Sequence, residues 1–180
     1  MPRYPSRTML DLRDYIRDVP DFPIPGILFR DITPLLADPG AYGTAVDELA
    51  LYVRSAAPDA IVAIESRGFL FGAPIADRLD LPFVPVRKPG KLPAARMSIE
   101  VSLEYGEQQL DIHTDALAPG ARVVIVDDLL ATGGTAAGAA QLVEMLGATV
   151  AGCAFVVELS GLGGRGALAP HDVHALIAYE

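Results

Sequence analysis

The chain has few of the features that mark secreted or membrane-bound proteins. Its 180 residues include one cysteine, Cys153, which lies among apolar neighbours and is expected to be a buried strand residue in a reducing compartment. No apolar run approaches the roughly 20 residues of a membrane-spanning helix, and the charged N-terminus does not resemble the apolar centre of a signal peptide. We therefore expect a cytoplasmic protein without a membrane partner.

Positive charge is scarce and unevenly distributed. Lysine and arginine together number 14 against 23 acidic residues, for a net charge of −9, which argues against nucleic acid or an anionic membrane as a partner. Both lysines of the chain, Lys88 and Lys91, stand close to Arg87. Charges that served only solubility would be scattered, so this cluster indicates an anion site. A solvated basic turn is the alternative.

The apolar pattern alternates helices with buried strands. Hydrophobic residues make up 51% of the chain, enough for one globular domain over residues 1–180. The expected elements are helices at 8–19, 41–56, 68–79 and 136–146, strands at 60–64, 82–86, 123–126, 149–158 and 173–179, and a hairpin at 97–113, with 21–39 largely irregular. Repeated strand–helix units predict an α/β fold with a central, mostly parallel sheet flanked by helices.

Three loops that follow strands carry the polar residues of interest. Ligands of parallel sheets bind outside the carboxyl ends of the strands. The segments at those ends are Glu65 to Gly68, Arg87 to Lys91 and Asp127 to Thr135. We expect these loops to meet at one cleft.

The segment from Arg122 to Ala136 carries the most specific motif. A run of apolar β-branched residues ends at Val126, and Asp127 and Asp128 are expected at the carboxyl end of this buried strand. A small-residue turn then leads into a helix, where backbone N–H groups and hydroxyls suit a phosphate. The turn consists of Ala131, Thr132, Gly133, Gly134 and Thr135.

The acids of this motif restrict the kind of ligand. Two carboxylates beside a phosphate site would repel a ligand that consists of phosphate alone. They are compatible with a ligand whose central part, facing the acids, is a polyhydroxylated sugar or carries a divalent cation. The motif therefore predicts a sugar-phosphate site. The alternative, two acids that only cap a strand-to-helix loop, does not account for the Thr-Gly-Gly-Thr turn beside them.

The glycines from Gly161 to Gly166 match the dinucleotide-binding pattern G-x-G-x-x-G. Too few residues follow for a complete strand–helix–strand unit with a ribose-binding acid about 20 residues further on. We interpret this segment as a flexible turn.

The motif at 123–136 resembles the signature of type I phosphoribosyltransferases, which combines four apolar residues, two acids and a Thr-Gly loop in the site for phosphoribosyl pyrophosphate (PRPP). Further segments are similar to the adenine-specific members of that family, so the resemblance covers essentially the whole chain. Val101 departs from it, because the family has tyrosine there; this departure bears on loop packing. The similar segments are Asp21–Pro34, Glu65–Gly72, Val86–Pro93, Ser102–Gly106, Gly163–Arg165 and Leu176–Tyr179.

The resemblance implies the type I phosphoribosyltransferase fold, with a small hood built from about residues 1–35 and a mobile hairpin loop at about 95–113. It implies transfer of the 5-phosphoribosyl group from PRPP to adenine, giving AMP and pyrophosphate in purine salvage. Mg²⁺ is the implied cofactor, carried mainly by PRPP, so no residue is named as a certain metal ligand. A basic loop near Arg87 that reaches the neighbouring subunit's site implies a homodimer.

The resemblance also implies roles for individual residues. Asp127 and Asp128 would stabilise the positive charge that develops at C1′. Glu104 would take the proton that adenine loses as N9 attacks, and Tyr105 belongs to the same loop, which excludes water. The implied phosphate ligands are Ala131, Thr132, Gly133, Gly134 and Thr135. The implied pyrophosphate ligands are Ser66, Arg67, Arg87, Lys88 and Lys91, and the implied adenine-binding residues are Leu28, Phe29 and Arg30.

Two alternatives stay open. One is a phosphoribosyltransferase for another purine base, against which the segments at 21–34 and 102–106 argue. The other is a PRPP-binding regulator that keeps the fold and binds DNA. Such a protein needs a positively charged region that binds DNA, and a net charge of −9 does not favour one.

Overall fold

The computed structural model describes residues 10–103 and 106–180 of the chain. The chain forms two compact units, which divide between Glu48 and Leu49 within a long helix. The interpretation of residues 1–180 as one domain with a hood stays a prediction. The described elements of the first unit are a 3₁₀ turn (Leu12–Tyr15), the antiparallel strands β1 (Arg17–Val19) and β2 (Phe29–Asp31), the helix α1 (Thr33–Ala37) and the beginning of α2 (Pro39–Ala56).

The helix predicted at 8–19 is wrong over the residues that the structure describes. After the 3₁₀ turn, Ile16 is extended (φ −104°, ψ 122°) and the chain enters β1. Arg17 lies opposite Asp31 of β2, and their ion pair measures 2.6 Å. Leu12 is the buried residue of the turn, so a longer helix here would have little apolar surface to bury.

The irregular structure predicted at 21–39 is also wrong in part, because β2 and α1 lie within it. The side chain of Asp31 accepts a hydrogen bond of 2.9 Å from the Thr33 N–H at the start of α1. Pro34 occupies the first turn of this helix, where its missing N–H costs no helical hydrogen bond. Proline therefore lies at the start of a helix here.

The second unit is built on a parallel sheet of five strands in the order β4–β3–β7–β8–β9. This confirms the predicted α/β class. The strands of this sheet are β3 (Ala60–Ile64), β4 (Phe83–Val86), β7 (Arg122–Leu130), β8 (Thr149–Leu159) and β9 (Val173–Tyr179). The helices of the unit are α3 (Arg67–Leu79), α4 (Gly134–Met145) and the single turn α5 (Gly164–Ala167), which follows a 3₁₀ turn (Ser160–Leu162).

The strands at the middle of the sheet are buried on both faces. Every residue of β3 is buried, and residues 123–126 of β7 have no exposed surface, as expected for parallel strands covered by helices. Cys153 of β8 is fully buried, which confirms its interpretation as a strand residue. Burial raises the pKa of the Cys153 thiol to about 12, so this side chain is protonated and unreactive. None of the helices in the described part of the chain has the length and apolarity to cross a bilayer.

A hairpin of β5 (Arg96–Leu103) and β6 (Gly106–His113) confirms the one predicted from the sequence. Its pairing runs from Arg96 opposite His113 to Leu103 opposite Gly106. The hairpin packs against α4 through Val101, because a Cβ atom at Gly138 would lie 2.1 Å from Cγ1 of Val101. The residue that departs from the family pattern is therefore a packing residue.

Candidate active site

The site is built on a strand that extends beyond one of its neighbours. β3 pairs with β7 only as far as Val126, whereas β8 continues to pair with β7 as far as Leu130. The prediction that this strand ends at Val126 is wrong, because pairing with β8 holds the next four residues extended. Asp127 and Asp128 thus lie on a strand whose other edge is open.

The N-terminus of α3 lies against this open edge. A Cβ atom at Gly68 would lie 2.7 Å from the Val126 carbonyl oxygen and 2.9 Å from Oδ1 of Asp127. A glycine at this position therefore allows α3 to approach the two acids. Arg67, at the first position of α3, forms an ion pair of 2.8 Å from its Nε to Oδ2 of Asp128.

The two acids have different surroundings. Asp128 is buried, with 4% of its surface exposed, and its charge is paired with Arg67. Asp127 is half-buried, and its Oδ1 accepts a hydrogen bond of 2.9 Å from the Asp128 N–H. Burial, and next the charge of Asp128, raise the pKa of Asp127 well above its ordinary value. The carboxyl group of Asp127 is therefore protonated more readily than that of an ordinary aspartate.

We expect Asp127→Asn to stabilise the protein in a pH-dependent way. Because the pKa of Asp127 is higher in the folded than in the unfolded state, the unfolded state releases its proton first as the pH rises, and the fold loses stability. Asparagine does not titrate, so the variant does not lose stability in this way. The Tm of the variant relative to wild type should be lowest near the ordinary pKa of an aspartate and should rise as the pH increases above it, as measured by calorimetry.

The matched control for this experiment is Asp77→Asn, on the exposed side of α3. Surface substitutions of this kind usually change stability by less than about 0.5 kcal/mol. A Tm difference for Asp127→Asn that stays constant or falls as the pH rises would contradict the assignment of a raised pKa.

The turn after β7 forms a cavity of about 300 Å³. Gly133 has φ +84° and leads into α4, which begins at Gly134, two residues before the predicted start. The difference arises because this left-handed conformation, which glycine adopts readily, turns the chain into the helix at once. The cavity is lined by Arg67 and by residues 127–136.

The first turn of α4 provides donors to this cavity. The first helical hydrogen bond runs from the Ala137 N–H to the Gly133 carbonyl, at 2.8 Å. The N–H groups of residues 134–136 precede it and have no acceptor within the helix. Together with the hydroxyls of Thr132 and Thr135, they are the donors of the predicted anion-binding turn (residues 131–135).

A second cavity, of about 370 Å³, adjoins the first. The two cavities share Arg67, Asp127, Asp128 and Thr135, so the acids lie on the wall between them. The other residues of the second cavity are Glu65, Ser66, Lys88 and Gln108. The structure thus brings all three predicted loops to one site.

Two of the cationic residues that were predicted to bind pyrophosphate lie away from the two cavities of the described structure. Among the described residues, those that line these two cavities do not include Arg87 or Lys91. Arg87 binds Glu65, with 3.2 Å between Nε and Oε2, and the Lys88 N–H donates to the same carboxylate oxygen at 3.0 Å. Burial acts to raise the pKa of Glu65, but the Lys88 N–H and the Arg87 guanidinium outweigh it and lower the pKa. Glu65 therefore holds the basic loop by its ionised carboxylate.

The predicted adenine-binding residues belong to the first unit. Leu28 is exposed, and so are the nearby apolar side chains of Phe22 and Ile24. Phe22 packs edge-to-face on Phe29, with 5.2 Å between ring centroids, and Arg30 forms an ion pair with Asp18 across β1 and β2. Three large apolar side chains of residues 22–28 are thus exposed in this segment.

Glu104 and Tyr105 lie outside the described residues. The hairpin that carries them is paired up to Leu103 and Gly106 on either side. Within the described ranges, no group of three or more His, Cys, Asp or Glu side chains is arranged to hold a metal ion.

Two residues of the site were missed by sequence reasoning. Gln108 lines the second cavity from β6, and the alternation of side chains along the hairpin is the signal that indicates which face it occupies. Gly164 contacts the anion-binding turn from the glycine-rich segment that was interpreted as a flexible turn. That contact joins residues far apart in sequence, and no local pattern reveals it.

The fold and the two cavities define a class of protein, those with a phosphoribosyl transferase domain, and the model of that domain family matches residues 37–173. Within the class, the chain belongs to the adenine phosphoribosyltransferase family. The adenine phosphoribosyltransferase of a Synechococcus species is 56% identical over 171 residues, which are 95% of this chain and 100% of that protein. These findings confirm the resemblance stated from the sequence.

Solved structures agree with the family assignment. The crystal structure of adenine phosphoribosyltransferase from Thermoanaerobacter pseudethanolicus is 52% identical, has a TM-score of 0.90, and is matched over 93% of this chain and 98% of that one. The Saccharomyces cerevisiae enzyme, in complex with adenine and an imino-altritol bisphosphate, is 41% identical with a TM-score of 0.87, over 92% of this chain and 96% of that one. The fold is therefore the type I phosphoribosyltransferase fold.

Proposed function

We propose that this protein transfers the 5-phosphoribosyl group from PRPP to adenine, giving AMP and pyrophosphate in purine salvage. The observation that carries the proposal is the pair of adjoining cavities with Asp127 and Asp128 on the wall between them. A ribose with phosphate groups at both ends complements this arrangement. Its anionic ends would face the hydrogen-bond donors and cationic side chains of the two cavities, and its hydroxyls would face the two acids between them. The close relatives named as adenine phosphoribosyltransferases support adenine as the base.

The anion-binding turn at 131–135 holds the 5′-phosphate in this proposal. N–H groups at a helix N-terminus and the two threonine hydroxyls donate hydrogen bonds to phosphate oxygens, and the helix dipole favours the negative charge. These donors are backbone groups on a rigid element, so they fix the position of C5′ and, through it, of the ribose.

The two acids act on the ribose. Displacement of pyrophosphate leaves positive charge at C1′, and a carboxylate beside that atom stabilises the transition state more than the neutral ground state. Asp128 forms an ion pair with Arg67 at 2.8 Å. Asp127, whose pKa is raised in the protein without ligands, suits a hydrogen bond to a ribose hydroxyl.

The second cavity holds the pyrophosphate group. Ser66, Arg67 and Lys88 line it and supply a hydroxyl and two cationic side chains. Arg67 contacts both this cavity and Asp128, so pyrophosphate and carboxylate compete for one guanidinium. Binding of PRPP then draws Arg67 toward the pyrophosphate and leaves more negative charge on Asp128 to act at C1′.

The cofactor in the proposal is Mg²⁺. Mg²⁺ keeps several waters and takes one or two carboxylates beside substrate phosphates, and the carboxylates that line the second cavity fit this need. When bound to PRPP, Mg²⁺ neutralises charge on the departing pyrophosphate. PRPP and water would supply most of its ligands, so no residue is named as a certain metal ligand.

Adenine binding and proton transfer complete the proposal. Leu28, Phe29 and Arg30 bind the base through backbone groups and apolar contacts, for which the exposed side chains of this segment supply surface. Glu104 accepts the proton that N9 loses, and Tyr105 lies on the same water-excluding loop.

A cytoplasmic homodimer is also part of the proposal. The family resemblance implies it, and the placement of Arg87 and Lys91 outside the two cavities lined by the described residues supports it. Cationic side chains of this loop are suited to complete the pyrophosphate site of a neighbouring subunit.

The experiment that tests the function is a panel of purine bases. Pyrophosphate release from PRPP and Mg²⁺ is measured with adenine, hypoxanthine, guanine and xanthine in turn. Adenine should give the highest kcat/KM. A higher value for another base would overturn the assignment of adenine, and salt-sensitive binding of duplex DNA without turnover would favour the regulator.

A further inference from the structure

A buried carboxylate lies at the end of the sheet next to the anion-binding turn. Glu158, near the end of β8, is paired with Leu130 of β7 on one side and with Ala178 of β9 on the other. Only 5% of its surface is exposed. A charge buried to this degree is costly unless it is paired and hydrogen-bonded.

Arg165 of α5 satisfies this carboxylate with a two-pronged contact. Its Nε donates to Oε1 of Glu158 at 2.8 Å and a terminal nitrogen donates to Oε2 at 2.7 Å. The other terminal nitrogen donates to the Val173 carbonyl at 2.7 Å. The hydrogen bonds to Glu158 raise the pKa of Arg165 further above its ordinary value. One guanidinium thus ties α5 to both β8 and β9.

The neighbour of this arginine contacts the anion-binding turn. A Cβ atom at Gly164 would lie 2.4 Å from the Ala131 carbonyl oxygen and 2.8 Å from Cδ1 of Leu130. From the other side, a Cβ atom at Gly133 would lie 2.7 Å from the Gly164 carbonyl oxygen. The two backbones therefore touch at a glycine on each segment, with no room for a side chain between them.

We propose that Glu158, Arg165 and Gly164 are positioning residues for the 5′-phosphate. The Glu158–Arg165 pair holds α5 in place, and Gly164 on α5 fixes the turn at Ala131 and Gly133. The turn then keeps its N–H groups directed at the phosphate before PRPP arrives. The inference rests on the proposed function, in which this turn binds the 5′-phosphate.

This arrangement acts on one end of the ligand only. The described contacts of Gly164 are with residues 130–133. The second cavity is lined by Glu65, Ser66, Lys88 and Gln108, in addition to the four residues that it shares with the first cavity. Loss of the support should therefore weaken ligands that carry a 5′-phosphate and leave pyrophosphate binding unchanged. A general loss of stability would weaken both.

The test compares ribose 5-phosphate and pyrophosphate, by calorimetric binding to the full chain. Arg165→Lys keeps the positive charge but loses the two-pronged contact with Glu158. Gly164→Ala keeps the Glu158–Arg165 ion pair but should displace the anion-binding turn, because the new Cβ atom would lie too close to the Ala131 carbonyl oxygen. Both variants should weaken ribose 5-phosphate about tenfold or more, in line with the cost of misplacing a binding group by about an ångström, with pyrophosphate affinity unchanged. In kinetics, KM for PRPP should rise more than kcat falls.

The control is Arg122→Lys, at the opposite end of β7, where the guanidinium donates to the Ala56 carbonyl at 3.2 Å. It should leave both affinities unchanged. Folded variants that bind both ligands as wild type does, or that lose both equally, would overturn the inference, as would wild-type protein that does not bind ribose 5-phosphate. If wild type binds ribose 5-phosphate with this dependence but does not use adenine, the proposed reaction fails and the positioning role stands.

Discussion

Replacing Asp128 by Asn is expected to lower kcat by about 10²–10³-fold, the size of effect seen when one preorganised electrostatic contact to a transition state is removed. Asp128 is buried and forms an ion pair with Arg67 at 2.8 Å. Asparagine keeps the shape but removes the charge that stabilises C1′ in the transition state. Steady-state kinetics with PRPP varied at saturating adenine measures the effect.

The same substitution should have a much smaller effect on PRPP binding, and in a direction that the structure specifies. In the proposed mechanism Asp128 and pyrophosphate compete for Arg67, so loss of the carboxylate should strengthen the attraction of this guanidinium for pyrophosphate. KM for PRPP should stay the same or fall, and inhibition by pyrophosphate should become stronger. Equal losses in kcat and in PRPP affinity would show that Asp128 serves binding and not the transition state.

Replacing Glu104 by Gln is expected to lower kcat by about 10²–10⁴-fold, the usual contribution of a general acid or base. The carboxylate in the proposal accepts the proton that adenine loses at N9, and the amide of glutamine cannot accept it. The variant should also lose the part of the pH dependence of kcat that wild type owes to this carboxylate. Rate measurements across pH at saturating substrates test both points.

Glu107→Gln is the matched control, because Glu107 is an exposed residue of the same hairpin. It should have close to wild-type activity. Near-wild-type turnover by Glu104→Gln would reduce Glu104 to a structural part of the loop, and equal losses in the two variants would point to the charge of the hairpin in general.

The sequence predicted those parts of the fold in which local pattern and tertiary environment agree. β3 and β9 have the predicted bounds. For β3 the reason is that a continuous apolar run in the middle of a parallel sheet has one stable environment. β7 was predicted too short, since pairing with β8 holds two acids and two leucines extended beyond the apolar run. At the N-terminus, pairing of β1 with β2 prevailed over a weak helical pattern.

Some parts of the candidate site could likewise be predicted from the sequence, and other parts could not. The turn at 131–135 and the acids before it are local in sequence, and their residue types alone predicted a sugar-phosphate site. The base required the family resemblance, because the segment at 25–30 has no pattern that names a purine. The contact of Gly164 with Ala131 depends on how two distant segments pack, and it was not predictable from either segment.

The most direct test of the central claim is the stoichiometry of the reaction, followed by ³¹P nuclear magnetic resonance. Wild-type protein with PRPP, Mg²⁺ and adenine should form AMP and pyrophosphate in equal amounts, and pyrophosphate should not form when adenine is omitted. Pyrophosphate release that does not depend on adenine, or consumption of PRPP without AMP, would contradict the account of this site as a centre for phosphoribosyl transfer to adenine.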